Sequence, residues 1–269
     1  MKGKIWLTVA LATVVIAAVL SLSSCGNKPY DTSSQVIDEQ ISTVSIVSEI
    51  SDIYIVPSED GVCRVTSSYG KKFSHSVEVR GDSLLSVELS DEREWYDYIG
   101  IFNVPKIIVA LPAGEYEGLY IQAGTGDVAC CADAKETMKI VTSTGDIAVE
   151  DVTAGSVELL VSTGDVELSN VSCAELTMRG STGEAELDDV TVTGKLTVKR
   201  STGDITLERV DAGEILIETS TGDIEGSLLT DKIFVARSNT GRVRVPETVT
   251  GGVCKLTTNT GSITITIAR

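Results

Sequence analysis

Apolar and polar residues alternate along most of the chain from about residue 44 to its end. Successive side chains of a strand point to opposite sides, so alternation over short runs is typical of strands that bury one face. The pattern therefore predicts an all-β protein built from many short strands.

The alternation is organised by a repeat of 19 or 20 residues. Apolar residues recur seven and five positions before the glycine of a Thr-Gly pair and, in nearly every unit, two and four positions after that glycine. The glycines of these pairs are Gly126, Gly145, Gly164, Gly183, Gly203, Gly222, Gly241 and Gly261. A strand–helix–strand unit needs about 30 residues or more, so these units are too short for one. Each is long enough for one coil of a solenoid, in which every strand pairs in parallel with its copy one turn away.

The repeat predicts a single-stranded, right-handed parallel β-helix, or β-solenoid, of about eight coils, because parallel crossovers are almost always right-handed. We expect an irregular β cap at 44–116 and the solenoid at 117–269. Before them we expect a signal peptide with lipobox, or a membrane anchor, at 1–25 and a flexible tether at 26–43. Each Thr-Gly glycine is expected at a corner, where a positive φ or a close backbone approach excludes a side chain.

An acid follows the glycine in six of the eight units, and a solenoid would stack these acids into one column. They are Asp127, Asp146, Asp165, Glu184, Asp204 and Asp223. One interpretation is that the carboxylates turn to solvent and accept backbone N–H groups at the corner. The alternative is calcium bound between coils, since calcium prefers hard oxygen ligands. Calcium is the only cofactor that the sequence suggests.

The net charge and the aromatic residues restrict the classes of partner that the protein could bind. A formal net charge of −17 excludes binding of nucleic acid through phosphate neutralisation, and leaves cations, basic peptides and neutral sugars. Four aromatic residues are concentrated in residues 91–103: Trp95, Tyr96, Tyr98 and Phe102. They are candidates for stacking a sugar or lining a peptide groove, and the alternative is a structural plug over the first coil.

The N-terminus predicts export. Lys2 and Lys4 precede an uncharged, mostly apolar run that ends in Leu22-Ser23-Ser24-Cys25. This end resembles a bacterial lipoprotein lipobox, which implies cleavage before Cys25 and a diacylglycerol on its thiol. An uncleaved transmembrane anchor and simple secretion are the alternatives. All three possibilities place the acidic remainder outside the cytoplasm, and lipidation or an uncleaved anchor would also hold it at the membrane.

The repeated Ser-Thr-Gly-Asp motif, as at residues 143–146 and 201–204, and the run at 109–112 carry a resemblance to a known family. Over roughly residues 44–269 the chain resembles the putative-adhesin family of bacterial β-strand-repeat proteins. The resemblance implies a surface domain with this fold and does not specify a ligand.

Catalysis is not expected. His75 is the only histidine, and no GxSxG, P-loop or HExxH motif occurs. We predict a membrane-anchored extracellular module for binding or adhesion, with a cell-surface protein or glycan as partner. The alternative is an accessory protein of envelope stress or signalling, and a remote one is a β-helix enzyme acting on polysaccharide. The last coil, from Ser262, has no helical or aromatic cap, which predicts a homodimer or docking at that end.

Overall fold

The computed structural model describes residues 31–69, 73–81, 83–91, 104–114 and 116–268. These residues form one 19-stranded β-sheet and contain no helix. The strands before the repeats are β1 Asp31–Ile37, β2 Thr43–Ser48, β3 Asp52–Pro57, β4 Cys63–Tyr69, β5 Phe73–Arg80, β6 Leu84–Asp91 and β7 Lys106–Leu111.

The repeats contain longer strands, several of which continue around a corner of the coil. They are β8 Tyr116–Thr125, β9 Val128–Cys130, β10 Ala134–Thr144, β11 Ile147–Thr163, β12 Val166–Thr182, β13 Ala185–Thr202 and β14 Ile205–Thr221. The last strands are β15 Ile224–Leu228, β16 Ile233–Thr240, β17 Val243–Arg244, β18 Val253–Thr260 and β19 Ile263–Ile267.

Successive repeats pair in parallel and in the predicted register. Val157 in β11 pairs with Leu176 in β12, which pairs with Leu196 in β13. All three side chains are buried, as are the other members of their column from Leu119 to Ile215. Columns of stacked aliphatic side chains therefore form the core, and the predicted parallel β-solenoid is confirmed.

Each central coil has a third side that the two predicted apolar runs did not reveal. Its inward residues form another buried column, Val152, Val171, Val190 and Val210. The residue before each valine turns the chain with a φ of 52–55°: Asp151, Asn170, Asp189 and Arg209. Asp and Asn tolerate this left-handed conformation better than most residues, which explains their presence at this corner.

The Thr-Gly corners need glycine for both of the expected reasons. All eight glycines have φ between 131° and 150°. A Cβ on Gly145 would also lie 2.1 Å from the carbonyl oxygen of Gly126 in the preceding coil. The close stacking of corners therefore excludes a side chain even if the backbone tolerated the φ angle.

The N-terminal region is more ordered than predicted. Residues 31–37, expected within a flexible tether, form β1, which pairs antiparallel with β4 and buries Ile37. β4 also pairs antiparallel with β7, and β5 with β6. The tether prediction is wrong for these seven residues, because their backbone groups complete a ladder with Cys63–Tyr69.

Part of the predicted irregular cap is a regular coil. β2 lies between β6 and β8, and β3 lies between β7 and β9, in parallel in all four pairings. The coil of residues 43–57 is thus inserted between the coil of β6 and β7 and the first Thr-Gly coil.

The last two coils are also stacked out of chain order. β18 pairs with β14 on one side and with β16 on the other, and β19 lies in the same way between β15 and β17. The prediction that the last coil forms the open edge is therefore wrong. The last coil is covered, and β16 and β17 form the edge at this end.

Candidate functional site

A groove with a volume of about 300 Å³ runs along the side of the solenoid, on the outer face of the strands that follow the Thr-Gly corners. In these strands the second and fourth residues after the glycine enter the core, so the first, third and fifth face outward. Outward residues that line the groove include Tyr54, Asp127, Ala129, Asp146, Ala148, Glu150, Asp165, Glu167, Ser169, Glu184 and Glu186.

The predicted acidic column borders this groove and is held by hydrogen bonds between coils. Asp146 donates its backbone N–H to Oδ1 of Asp127 over 2.9 Å, and Asp165 donates in the same way to Asp146 over 2.8 Å. Glu184 donates to Asp165, and Asp223 to Asp204. The carboxylates thus satisfy donors that the corner leaves unpaired.

This geometry matches the first of the two interpretations of the column. Among the described residues, no group of three His, Cys, Asp or Glu side chains is arranged to hold a metal ion. Calcium binding by the six acids stays a prediction.

Asp52 extends the column into the N-terminal coil. It accepts the backbone N–H of Asp127 over 3.2 Å, although 75 residues separate the two in sequence. Sequence reasoning missed this residue because Ser51 takes the place of the corner glycine. The run Ser51-Asp52-Ile53 otherwise matches the Gly-Asp-Ile of the repeats, and that likeness is the signal that could have revealed it.

The column ends near the side chain of Lys106 on one side and at the backbone of Ser262 and Arg242 on the other. Nζ of Lys106 lies 4.0 Å from Oδ2 of Asp52. At the other end Ser262 donates its N–H to Oδ1 of Asp223, and the hydroxyl of Ser262 accepts the N–H of Arg242. Four acids of the column, Asp127, Asp146, Asp165 and Glu184, border the groove.

Burial is the main cause of the raised pKa values around the groove. Burial raises the pKa of Asp52, although the hydrogen bond from the backbone N–H of Asp127 acts in the opposite direction. Burial, with Asp52 and Asp127, raises the pKa of Tyr54 to about 12. Burial and the neighbouring Asp151 raise the pKa of Glu150. A cation in the groove would relieve the cost of these negative charges.

The floor of the groove changes from apolar to acidic along the axis. Tyr54 pairs with Ala129, and Ala129 with Ala148, so an aromatic ring and two methyl groups stand in one outward column. The next members of that column are Glu167 and Glu186. The groove therefore offers apolar contact at one end and carboxylates at its edge and other end.

The other predicted site residues lie outside the described residues. These are Cys25, the candidate for lipidation, and Trp95, Tyr96, Tyr98 and Phe102, the candidates for ligand binding. Within the described part of the chain, no helix is both long and apolar enough to cross a bilayer.

The described residues include one Ser–His pair, but its geometry does not suit catalysis. Nε2 of His75 lies 2.9 Å from Oγ of Ser67, whose side chain is fully buried and out of reach of a substrate. Burial also raises the pKa of the partly exposed Cys131 thiol to about 11, so it is not a reactive thiolate.

Comparison with solved structures shows the same fold in proteins of distant sequence. A putative adhesin from Bacteroides fragilis is 16% identical, with a TM-score of 0.58 over 90% of this chain and 100% of that one. A putative adhesin from Parabacteroides distasonis is 12% identical, with a TM-score of 0.50 over 90% of this chain and 98% of that one. At these identities the likeness shows the fold alone.

No curated protein sequence matches the chain. The model of the Toastrack family, DUF4097, matches residues 41–269, which include every coil of the solenoid. The chain belongs to the Toastrack DUF4097 family.

Proposed function

We propose that this protein is a membrane-anchored, extracytoplasmic solenoid that binds a partner without catalysis, and that the acidic lateral groove is its binding surface. The observation that carries the proposal is the column of carboxylates beside an apolar floor. The ligand that fits this chemistry is an extended segment of another cell-surface protein that carries Lys or Arg side chains.

The spacing of the coils suits an extended peptide. The acids from Asp127 to Glu184 stand on four successive coils, which at about 4.8 Å per coil gives a length of roughly 14 Å. Residues on one side of an extended peptide repeat about every 6.8 Å, so two or three basic side chains fit over this length. Apolar side chains between them would contact Tyr54 and the two alanines.

Fluorescence anisotropy with a labelled (Lys-Val)4 peptide tests this proposal. The double variant Asp146→Asn/Asp165→Asn keeps an oxygen acceptor for each backbone N–H but removes two charges. We expect it to weaken binding about tenfold or more, and added salt to weaken binding to the native protein.

The matched control is Glu136→Gln/Glu175→Gln, which removes two exposed charges outside the groove. It should change the affinity by no more than about twofold. Equal losses in the two double variants would show that net charge alone attracts the peptide, and the groove would then not be the site.

Membrane anchoring through Cys25 has a separate test. In cells, the Cys25→Ala variant should leave the membrane fraction or accumulate with its signal uncleaved, and it should not incorporate a labelled fatty acid. Incorporation of fatty acid by the variant would exclude Cys25 as the lipidated residue.

A further inference from the structure

The end of the solenoid opposite the N-terminal strands presents an open strand edge. Among the described residues, β16 pairs only with β18, and β17 pairs along the sheet only with β19. Ile233 donates its N–H to the carbonyl of Gly252 over 2.9 Å. Because backbone groups alternate in direction along a strand, those of Phe234 and Ala236 point to the open side.

Apolar side chains concentrate at this end. Phe234 and Ala236 occupy core columns but remain half-buried, whereas their neighbours Cys254 and Leu256 in β18 are completely buried. Among the described residues, six of the ten large hydrophobic side chains that are exposed lie between positions 229 and 253: Leu229, Ile233, Val235, Val243, Val249 and Val253. A further strand laid on β16 would cover the two core positions and part of this apolar surface.

The charge of this end is opposite to that of the rest of the chain. Residues 229–253 contain four Lys or Arg and two acids, in a chain with a net charge of −17. Arg237, Arg242 and Arg244 are exposed, and none forms an ion pair within the described residues. Arg244 stands in the outward column that carries Glu225 two coils earlier.

We propose that the open edge of β16 binds an extended acidic strand of a partner protein, by addition of that strand to the sheet. Inward side chains of the added strand would be apolar and complete the columns over Phe234 and Ala236. Among its outward side chains an acidic one would pair with Arg237, and others would contact the exposed Ile233 and Val235. This site is independent of the lateral groove, which has the opposite charge.

A second copy of the chain is a less favourable occupant of the same edge. Two-fold antiparallel pairing of β16 with itself, centred near Arg237, would place Arg237 of both copies side by side on one face of the joined strands. Like charges at opposing positions destabilise a strand pair. The charge of the edge therefore favours an acidic strand over a homodimer.

The test uses the full protein and two labelled peptides, (Glu-Val)4 and (Lys-Val)4, with anisotropy measured at about 0.15 M salt. Charges more than roughly 8 Å apart are largely screened there, so the acidic column does not repel the peptide from the edge. We expect the double variant Arg237→Glu/Arg244→Glu to weaken binding of (Glu-Val)4 about tenfold or more.

Two further variants make the test specific. Arg179→Glu/Lys135→Glu reverses two exposed charges elsewhere and should change the affinity by no more than about twofold. Ala236→Pro removes an N–H from the open side and should weaken binding as strongly as the charge reversal. If circular dichroism shows that the proline variant does not fold, the charge-reversal variants decide the result.

Three outcomes would overturn the proposal: an unchanged affinity for (Glu-Val)4 after charge reversal, equal binding of this peptide to the charge-reversal variant and its control, or a protein dimer that the peptide does not dissociate. The groove and the edge are distinguishable in the same experiment. Asp146→Asn/Asp165→Asn should not weaken binding of (Glu-Val)4, and Arg237→Glu/Arg244→Glu should not weaken binding of (Lys-Val)4.

Discussion

Gly180 provides the space that the side chain of Arg200 occupies inside the solenoid: a Cβ on Gly180 would lie 2.6 Å from Nη1 of Arg200. The buried guanidinium passes this glycine and donates to the carbonyl oxygens of Gly164 and Glu184 over 3.1 and 3.0 Å. In other coils a threonine hydroxyl in the same column donates to corner carbonyls, as Thr142, Thr219 and Thr258 do. In this coil the long side chain of Arg200 takes the place of the threonine hydroxyl, and Gly180 in the adjacent coil leaves room for it.

This relationship predicts coupling between the two positions. Gly180→Ala should lower the free energy of unfolding by about 1–3 kcal/mol, because the added methyl group displaces the guanidinium and would also lie 2.8 Å from the carbonyl oxygen of Val161. Arg200→Thr alone leaves a cavity beside the glycine, and adding Gly180→Ala should then cost less than it does in the native protein. Urea unfolding of the two single variants and the double variant measures the coupling. Strict additivity would contradict the contact.

The corner glycines provide a second prediction, with controls in the same chain. Gly164→Ala should lower the free energy of unfolding by well over about 3 kcal/mol. The new Cβ would lie 2.1 Å from the carbonyl oxygen of Gly145, and the φ of 148° is unfavourable for alanine. Gly61 has a φ of 71° and no atom near a Cβ, so Gly61→Ala should cost about 1–2 kcal/mol. Gly114 has neither a positive φ nor a close neighbour, so Gly114→Ala should change the free energy of unfolding by no more than about 0.5 kcal/mol. Thermal unfolding should rank the three in that order.

Replacing one aspartate of the acidic column with asparagine should reduce the repulsion between neighbouring carboxylates while keeping the hydrogen bond between coils. Two unit charges about 4.8 Å apart in water repel by roughly 0.9 kcal/mol before screening by salt. Asp146→Asn should therefore raise the free energy of unfolding by a few tenths to about 1 kcal/mol at low salt, and by less at high salt. Asp146→Ala also loses the acceptor for the N–H of Asp165 and should be less stable than Asp146→Asn. The reverse order would show that the hydrogen bond contributes nothing.

The same column predicts a small response to calcium. Its carboxylates are engaged with backbone N–H groups, so millimolar calcium should leave the Tm close to its value in chelator. A rise of several degrees that disappears in Asp146→Asn/Asp165→Asn would instead support calcium between the coils.

Asp211 and the buried Lys232 predict a dependence of stability on pH. Nζ of Lys232 lies 2.6 Å from Oδ1 of Asp211. Burial raises the pKa of Asp211, but hydrogen bonds from Lys232 and Thr230 outweigh it and hold the pKa below its ordinary value. A carboxyl group with a lowered pKa stabilises the fold above the pKa of the unfolded chain, about 3.9. That contribution is lost as the pH falls from there through the lower pKa of the folded state.

Lys232→Met should therefore destabilise the protein at pH 7, by about 1–3 kcal/mol, and the difference from the native protein should shrink below pH 3.5. Urea unfolding at the two pH values measures this change. A loss that is independent of pH would assign the effect of Lys232 to packing alone.

Several features of the site could be predicted from the sequence because they recur with the repeat. Six acids of the column and the corner glycines stand at fixed positions, and the structure brings them into line. Asp52 and Tyr54 were not predicted because their partners in the next coil, Asp127 and Ala129, are 75 residues away in sequence and because serine stands at their corner. The interior position of Arg200 was also hidden, since it depends on the glycine of the adjacent coil.

The sequence by itself determined the two strands that flank each Thr-Gly corner: which of their side chains face the core, and why only glycine fits the corner between them. It did not determine the order of coils at the two ends, because all coils share one pattern and each can stack on any other. Only the tertiary structure decided that β2 and β3 are inserted at one end and β18 and β19 at the other. At the second end, the physical reason lies in contacts between distant residues. Gly252 has no side chain and lies directly against the carbonyl of Gly213, and Thr258 donates to the carbonyl of Gly222.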